Sequence, residues 1–297
     1  MRTAFINQLT LEARKDEKIF LIVGDLGFSV VEPFAAEFPN RFLNAGVAEQ
    51  NMTGIAAGLA MEGYTVFTYS IGNFPTLRCM EQVRYDVCYH NLNVKIVAVG
   101  GGYAYGSLGA SHHATEDLGM LRTIPNLTVC APGDPLETKA LTSFLAREKG
   151  PAYLRLGKAG EPVVHEKLDS IIKGAGLSLK DGKDVAVLST GAMLKYACDF
   201  IRNHQLEYGL FSFPFIKPID SVLIKNISNQ YRQIITIEEH QRDAGFGSAV
   251  LEALHDLLEK GGISSLPTIK RIAIPNKFIG VAGTQEYLRE LAGLFLG

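Results

Sequence analysis

Short β-rich runs alternate with helix-forming segments along most of this 297-residue chain. Strands that are separated by helices pair in parallel, because each connection must cross over a face of the sheet. The chain is also too long for one small core, since a domain usually has about 100–200 residues. The sequence therefore predicts two doubly wound α/β domains. Asp134 followed by Pro135 predicts the start of one helix, with Asp134 as its N-cap. The strands predicted in the first series are residues 19–23, 65–69, 94–99, 127–131 and 152–156.

A stretch rich in Gly, Lys and Asp interrupts this pattern at residues 157–183 and predicts a connector with at most a short hairpin. We therefore predict a first domain over residues 1–165, a linker over 166–183 and a smaller second domain over 184–297. The second domain has its own series of elements. Its predicted strands are 184–191, 208–213, 233–239 and 268–274, and its predicted helices are 191–204, 246–260 and one from 284.

Composition restricts the partners and the compartment. The 29 basic and 31 acidic residues give a formal net charge of −2, which provides no field to attract nucleic acid or an anionic membrane. The N-terminal residues are charged throughout, and no apolar run approaches the ~18 residues of a membrane span, so we expect a cytoplasmic protein. No C-x-x-C pair is present, which argues against a zinc site and favours reduced thiols. The cysteines are Cys79, Cys88, Cys130 and Cys198.

Residues 41–70, RFLNAGVAEQNMTGIAAGLAMEGYTVFTYS, are the most informative segment. Glu49 falls at a turn just ahead of a helix of small residues. This arrangement places a carboxylate beyond the carboxyl end of a strand, where open α/β sheets bind ligands. A glutamate at a helix start is, however, more often a solvated partner of the helix dipole. The residue pattern alone leaves both interpretations open.

The sequence from Asn44 to Met52, together with Gly54 to Ala60, resembles the pyrimidine-binding domain of the transketolase family. That family includes 1-deoxyxylulose-5-phosphate synthases and the β subunits of 2-oxoacid dehydrogenase complexes. The resemblance continues through GASHHATEDLGMLR, PAYLRLGK, FPFIKPID, IEEHQRDAGFG and GTQEYLREL. It implies a thiamine diphosphate enzyme with a pyrimidine-binding domain and a smaller transketolase C-terminal domain.

The resemblance implies that Glu49 activates the cofactor. In the family, a glutamate at this position hydrogen-bonds N1′ of the aminopyrimidine and favours the imino tautomer, which takes the C2 proton of the thiazolium. The cofactor carries the difficult chemistry, and the protein supplies orientation and electrostatics.

The pyrimidine also needs an aromatic wall, for which the candidates in order of preference are Phe74, Tyr69 and Phe67. The loop over residues 70–78 is longer than in relatives, so the alignment leaves the choice open. Alternating aromatic residues of a strand are more often part of a hydrophobic core, which competes with the cofactor-binding interpretation of Tyr69 and Phe67.

Four residues are candidates for contact with the substrate. His112 lies in a glycine-bounded loop and matches a family histidine that moves protons near the reacting carbonyl, a task suited to imidazole. His113 has no firm counterpart in the family and is a candidate second donor. Arg155 matches a family arginine that grips a substrate phosphate, with a salt bridge as the alternative. His240 resembles a polar residue near the mouth of the active site.

No metal ligands are predicted on this chain. The family binds the cofactor's diphosphate through Mg²⁺, which a G-D-G…N-N motif holds in a different domain. Here the nearest sequence runs from Gly24 to Gly27, and no Asn-Asn pair follows it, although Mg²⁺ requires such hard oxygen ligands. We therefore expect a partner subunit to hold Mg²⁺ and the diphosphate in an α₂β₂ assembly, with this chain inactive alone.

The leading functional hypothesis is the small subunit of a transketolase that moves a two-carbon ketol unit between a ketose phosphate and an aldose phosphate. The alternatives are a 2-oxoacid dehydrogenase β subunit, a deoxyxylulose phosphate synthase and a non-catalytic α/β subunit. Leu108 stands four positions before His112, where typical transketolases have an acidic residue for a donor hydroxyl. The identity of the sugar therefore stays open.

Overall fold

Twelve strands in two sheets form the framework of the computed structural model, which describes residues 1–297. In chain order the strands are β1 (Ile19–Val23), β2 (Phe42–Asn44), β3 (Thr65–Ile71), β4 (Val94–Val99), β5 (Thr128–Cys130), β6 (Ala152–Leu156), β7 (Leu177–Lys180), β8 (Val185–Ser189), β9 (Gly209–Ser212), β10 (Phe215–Lys217), β11 (Gln233–Gln241) and β12 (Thr268–Ile274). The α-helices around them are α1 (Arg2–Lys15), α2 (Glu32–Glu37), α3 (Glu49–Met61), α4 (Asp117–Arg122), α5 (Pro135–Arg147), α6 (Met193–Asn203), α7 (Ser221–Gln230), α8 (Phe246–Glu259) and α9 (Gln285–Leu291).

Both sheets are mainly parallel. The larger has seven strands in the order β10-β5-β6-β4-β3-β1-β2, and the smaller has five in the order β12-β11-β8-β9-β7. Only β10 with β5 and β7 with β9 pair in the antiparallel direction. Helical connections between successive strands cross over a face of the sheet, which brings the strands side by side in the same direction. The prediction of two doubly wound α/β sheets is confirmed.

The central strands of the larger sheet are apolar because both of their faces are covered. All six residues of β4 and all five of β6 are buried, whereas β12, at an edge of the smaller sheet, begins with alternating exposed residues. Helix α5 starts as predicted, because the carboxylate of Asp134 accepts a hydrogen bond from the backbone N–H of Glu137 at 2.8 Å. This cap satisfies a donor that the first turn leaves free.

Several elements differ from the sequence prediction, which also did not include β2, α2 or α7. Strand β7 lies inside the predicted linker and pairs with β9, and strand β10 from the second half of the chain pairs with β5 of the first sheet. Strands of three or four residues carry too little periodicity to be recognised. Helix α1 was not predicted, because charged residues interrupt the apolar pattern of the face that buries Phe5 and Leu9. The domain boundaries at 165 and 183 stay a prediction.

One hydrophobic core of 34 residues extends across both halves of the chain. Leu118 and Leu121 of α4 contribute to it from the first half, and Phe213 and Phe246 contribute from the second. Helix α4 directly follows the loop that carries His112 and His113. The second half of the chain therefore packs on the element that supports this loop.

All four cysteines are free thiols, as predicted, and three of them are buried. No helix is both long enough and apolar enough to span a membrane.

Candidate active site

The larger sheet has a topological switch point between β1 and β3. The chain leaves β1 toward β2 on one side and leaves β3 toward β4 on the other, and open α/β sheets bind ligands beyond the carboxyl ends of such a strand pair. Glu49, the first residue of α3, has its carboxylate at this point. Ser70, near the end of β3, donates to Oε1 of Glu49 at 3.0 Å. Gly24 follows β1 directly, and a Cβ there would stand 3.3 Å from Cγ of Glu49.

The carboxylate of Glu49 is buried and ion-paired. The residue is 1% exposed, and its Oε2 accepts a hydrogen bond from the guanidinium of Arg78 at 2.9 Å. The Arg78 side chain is 45% exposed, so its charge reaches the carboxylate from the surface. A buried carboxylate needs such a partner, because desolvation of an unpaired charge costs several kcal/mol.

Phe74 forms the second wall of this crevice. Its half-buried ring lies 4.4 Å from the guanidinium carbon of Arg78, and the ring of His112 meets it edge-on with centroids 5.3 Å apart. The space between Glu49 and Phe74 thus already accommodates a planar group that stacks on the ring and donates an N–H to the carboxylate. An aminopyrimidine that carries a proton on N1′, as in its imino tautomer, makes the same two demands, so these residues fit the pyrimidine end of thiamine diphosphate.

The two loop histidines have different environments. His112 is half-exposed, with Nδ1 3.0 Å from Oγ of Ser111. His113 is 6% exposed, packs edge-on against Tyr103 at 5.1 Å between centroids, and has an Nε2 without a hydrogen-bond partner. Burial lowers the pKa of His113, so its imidazole is neutral at pH 7, and its Nε2 is a buried polar atom that nothing inside the chain satisfies.

A cavity of about 310 Å³ lies beside His113. Asn73, from the loop that carries Phe74, also lines it, and so does Lys277, from the segment after β12. A larger cavity of about 800 Å³ shares Glu116 and Lys277 with the first. The space next to the histidines therefore continues into a cleft between the two halves of the chain.

Two of the three candidate aromatic residues do not reach this crevice. Phe67 and Tyr69 are both buried in the hydrophobic core. Phe5 of α1 packs against them, with ring centroids 6.0 Å from Phe67 and 5.9 Å from Tyr69. The expectation of a cofactor wall at Phe67 or Tyr69 is corrected, because neither ring offers a surface to a ligand.

Arg155 does not present its guanidinium to solvent. Its Nε donates to Oδ2 of Asp117 at 2.9 Å, and its Nη2 donates to the backbone oxygens of Ala114 and Glu239. Burial opposes the charge, but the neighbouring acidic groups, of which Asp117 contributes most, together outweigh it and raise the pKa of Arg155. The expected phosphate grip is therefore corrected to a buried ion pair, because these internal acceptors occupy the guanidinium.

His240 is likewise fully used inside the protein. Its Nε2 accepts a hydrogen bond from the backbone N–H of Gly119 at 3.0 Å, and its Nδ1 lies 2.8 Å from the backbone oxygen of Gln241. Both ring nitrogens are thus occupied, and the expectation of substrate contact through His240 is corrected. Its imidazole instead joins β11 to α4.

The segment that comes nearest to the family's Mg²⁺-binding motif, Gly24 to Gly27, forms hydrogen bonds with Asn44 through Asp25. The side-chain amide of Asn44 donates to Oδ1 of Asp25 at 2.9 Å, and the backbone N–H of Asp25 donates to Oδ1 of Asn44 at 3.0 Å. The residues that combine metal-ligand types at close spacing are the exposed His255, Asp256 and Glu259 of α8. They share no element with the Glu49 crevice.

Sequence reasoning missed Arg78 and Ser70, the two partners of the Glu49 carboxylate. The sequence does contain the signal, since Arg78 stands four residues after Phe74 in the same loop. A buried acid requires a hydrogen-bonded cation or donor, and this requirement would have directed the search to both residues.

Comparison with known proteins identifies the two halves. Residues 1–160 match the family model of the transketolase pyrimidine-binding domain, and residues 174–293 match that of the transketolase C-terminal domain. One of the subunits of an apulose-4-phosphate transketolase from Phocaeicola vulgatus is 36% identical over 260 residues, which cover 86% of this chain and 83% of that one. A 1-deoxy-D-xylulose-5-phosphate synthase from Heliobacterium modesticaldum is 32% identical over 296 residues, 98% of this chain and 44% of the synthase.

A solved structure described as a split gene transketolase, an inactive β4 tetramer, superimposes with a TM-score of 0.84 and 33% identity. The match covers 99% of this chain and 93% of that one. These similarities define a chain that combines a pyrimidine-binding domain with a C-terminal domain. The chain belongs to the transketolase family. It corresponds to the small subunit of a split transketolase, a transferase-type enzyme, and the family implies thiamine diphosphate as the cofactor.

We predict that His113 and His240 contribute a decrease in the free energy of unfolding as the pH falls below 6.5, the ordinary pKa of histidine. His165, Glu137 and Glu238, whose pKa values are raised in the folded chain, contribute in the opposite direction. Burial lowers the pKa values of His113 and His240 from 6.5 in the folded chain. The unfolded chain therefore takes up protons first, so this stability is present above pH 6.5 and is lost as the pH falls through the folded-state pKa values. A tenfold difference in proton affinity corresponds to about 1.4 kcal/mol.

Urea titrations between about pH 8 and pH 5 measure this dependence. The difference between wild type and His113→Asn isolates the contribution of His113, and the variant should lose less stability than wild type as the pH falls. The control, His255→Asn, whose side chain is exposed, should follow wild type. Equal slopes for wild type and His113→Asn would contradict the assignment of a neutral, buried imidazole.

Proposed function

We propose that this chain is the pyrimidine-binding subunit of a thiamine diphosphate-dependent transketolase that transfers a two-carbon ketol unit from a ketose phosphate to an aldose phosphate. The observation that carries the proposal is the buried carboxylate of Glu49 beside the ring of Phe74 at the switch point of the sheet. Support also comes from the relative that is named as one subunit of an apulose-4-phosphate transketolase.

Each residue of the crevice has a distinct task in this proposal. Thiamine diphosphate, when bound, supplies the carbon nucleophile and the ring that takes up electrons. Glu49 shares a proton with N1′ of the pyrimidine, and Phe74 provides the face on which the ring lies. Ser70 and Arg78 each hold one oxygen of the Glu49 carboxylate, so the carboxylate is oriented before the cofactor arrives.

The substrate contacts are assigned to the cavity side of the crevice. His112, beside Phe74, binds and moves protons at the substrate oxygens, and His113 offers its free Nε2 as a second contact. With Arg155 engaged internally, we assign the contact with a substrate phosphate to Lys277, a cation that lines the cavity beside His113.

A second subunit completes the proposed enzyme. We assign Mg²⁺ and the diphosphate to a diphosphate-binding chain and propose an α₂β₂ heterotetramer. The naming of a relative as one subunit of an enzyme and the description of a similar β4 tetramer as inactive support this assignment. The cytoplasmic location stays a prediction from the sequence.

Synthase-type chemistry is the second candidate. The similarity to 1-deoxy-D-xylulose-5-phosphate synthase covers nearly the whole chain, and Leu108 replaces the acidic residue of typical transketolases. Assays with pyruvate and a triose phosphate, run beside assays with ketose and aldose phosphates, distinguish the two reactions.

We predict that Glu49→Gln lowers turnover of the two-chain enzyme by about 10²–10⁴-fold, because an amide cannot share a proton with N1′. The matched control is Glu62→Gln at the exposed end of the same helix, which should retain full turnover. Steady-state rates and circular dichroism spectra measure activity and folding. A well-folded Glu49→Gln enzyme with turnover near that of wild type would refute the assigned role.

We predict that Phe74→Ala weakens binding of thiamine diphosphate to the two-chain enzyme about tenfold or more, because the pyrimidine loses its stacking surface. Calorimetric titration measures the dissociation constant. Phe295→Ala removes an exposed ring near the C-terminus and serves as the control with unchanged affinity. Unchanged affinity in Phe74→Ala would exclude this ring as the wall.

We predict that this chain alone gives no ketol transfer with thiamine diphosphate and Mg²⁺, and that activity appears on addition of a diphosphate-binding chain and saturates at a 1:1 ratio. The cofactor site is divided between the chains, so neither chain has a complete one. Rate measurements at increasing ratios of the two chains, with light scattering for the mass, test the assembly. Turnover by this chain alone would contradict it.

A further inference from the structure

The loop from Gly100 to His113 carries both histidines, and its base is closed by a pair of backbone hydrogen bonds. Gly102 donates to the backbone oxygen of Ala114 at 2.8 Å, and Ala114 donates back to Gly102 at 3.0 Å. These two bonds fix the width of the loop but not its position relative to the second half of the chain. A single residue of β11, Glu239, contacts both ends of the loop.

The carboxylate of Glu239 binds the start of the loop. Its Oε1 accepts a hydrogen bond from the backbone N–H of Tyr103 at 2.5 Å, and Tyr103 is the residue whose ring packs against His113. Gly102 has a φ of +64°, and a Cβ there would stand 2.6 Å from Cγ of Glu239. The glutamate thus fills the space that a side chain at position 102 would take.

The backbone of Glu239 is connected to the end of the loop. The guanidinium of Arg155 donates to the oxygen of Ala114 at 2.5 Å and to the oxygen of Glu239 at 3.0 Å through the same nitrogen. Ala114 directly follows His113. The two histidines therefore lie between two attachment points, Tyr103 and Ala114, and both points are connected to Glu239.

Helix α9 holds the carboxylate of Glu239 in place. Gln285 donates to both of its oxygens, at 2.9 and 3.1 Å, and the Nε of Arg289 donates to Oε2 at 2.6 Å. Glu239 is 2% exposed, so these bonds form in a low-dielectric interior where each is strong. The position of α9 is thereby linked to the histidine loop.

We propose that Glu239 is a positioning residue, through which the C-terminal half of the chain and α9 set the placement of His112 and His113 at the substrate. This inference rests on the proposed function, because it takes the histidine loop as the substrate contact. A displacement of about 1 Å in such a group can cost about 10²-fold in rate. Glu239 makes no hydrogen bond to Glu49. Phe74 touches His112 but also packs on Arg78, which is independent of Glu239, so loss of Glu239 should affect the sugar and not the cofactor.

Glu239→Gln and Glu238→Gln form a matched pair for the test. Glu238 is also buried, at 1% exposure, but it accepts hydrogen bonds from the backbone of Phe246 and Gly247 at the start of α8. Each substitution exchanges a carboxylate for an amide with one acceptor oxygen, so both should lower the melting temperature. Only Glu239→Gln should release the loop.

Hydrogen–deuterium exchange of the full chain tests the positioning without any assay of activity. We expect the peptide that covers residues 100–114 to exchange at least about tenfold faster in Glu239→Gln. The single acceptor oxygen of the amide cannot serve both Tyr103 on one side and Gln285 and Arg289 on the other, so the loop and α9 lose their common attachment and the loop opens locally. The same peptide in Glu238→Gln, and the α3 peptide in both variants, should exchange as in wild type. Equal exchange of the loop in the two variants would overturn the proposal whatever the activity.

Kinetics of the two-chain enzyme test the consequence. We expect Glu239→Gln to lower kcat/KM for the sugar phosphates at least about tenfold while the affinity for thiamine diphosphate stays unchanged, and Glu238→Gln to change neither. Faster loop exchange with unaltered kcat/KM would overturn the proposal.

Arg289→Met keeps Glu239 and removes one of its partners. If Glu239→Gln folds poorly, Arg289→Met takes its place in the test and should show the same pattern with a smaller effect. Wild-type exchange and kinetics in Arg289→Met would count against the link to α9. Absence of ketol transfer by the wild-type pair would contradict the proposed function, and the exchange comparison would still decide whether Glu239 positions the loop.

Discussion

The ion pair between the buried carboxylate of Glu49 and the half-exposed guanidinium of Arg78 is the interaction on which the site depends. A carboxylate at the switch point of a parallel sheet loses its water, and that loss is tolerated only when partners satisfy both of its oxygens. Ser70 supplies one partner from the end of β3, and Arg78 supplies the other while it covers Phe74. The carboxylate of Glu49 is thus held in one orientation, and the side chain that separates it from solvent is the half-exposed Arg78. A flat N–H donor is the kind of ligand that could replace or join Arg78 there.

Packing between the two halves of the chain extends the site beyond its first domain. Helix α4 contributes to the core shared by both halves, and Glu239 and Arg155 attach the histidine loop to β11. The C-terminal half therefore contributes to the site, because it fixes the histidine loop that faces the cavity. The Glu49 carboxylate, built on β1, β3 and α3, has its hydrogen-bond partners outside this network, although Phe74 of the crevice touches His112 edge-on. Substrate placement and activation of the cofactor by Glu49 thus depend on different hydrogen bonds.

The sequence allowed prediction of those features that depend on local pattern. The apolar runs of β4 and β6 and the cap at Asp134 were predicted correctly because neighbours in sequence determine them. Glu49 and Phe74 were proposed as cofactor residues through a resemblance, not through periodicity. Arg155 and His240 were misassigned because their partners lie far away in sequence, at Asp117 and Gly119. No local signal distinguishes a charged side chain that faces a ligand from one that faces a buried acid.

A structure of this chain bound to its diphosphate-binding partner, thiamine diphosphate and Mg²⁺ tests the central claim most directly. We predict that the carboxylate of Glu49 contacts N1′ of the pyrimidine, that Phe74 lies against the ring, and that the partner chain supplies the protein ligands of Mg²⁺. A pyrimidine bound away from Glu49, or Mg²⁺ held by Asp25 of this chain, would contradict it.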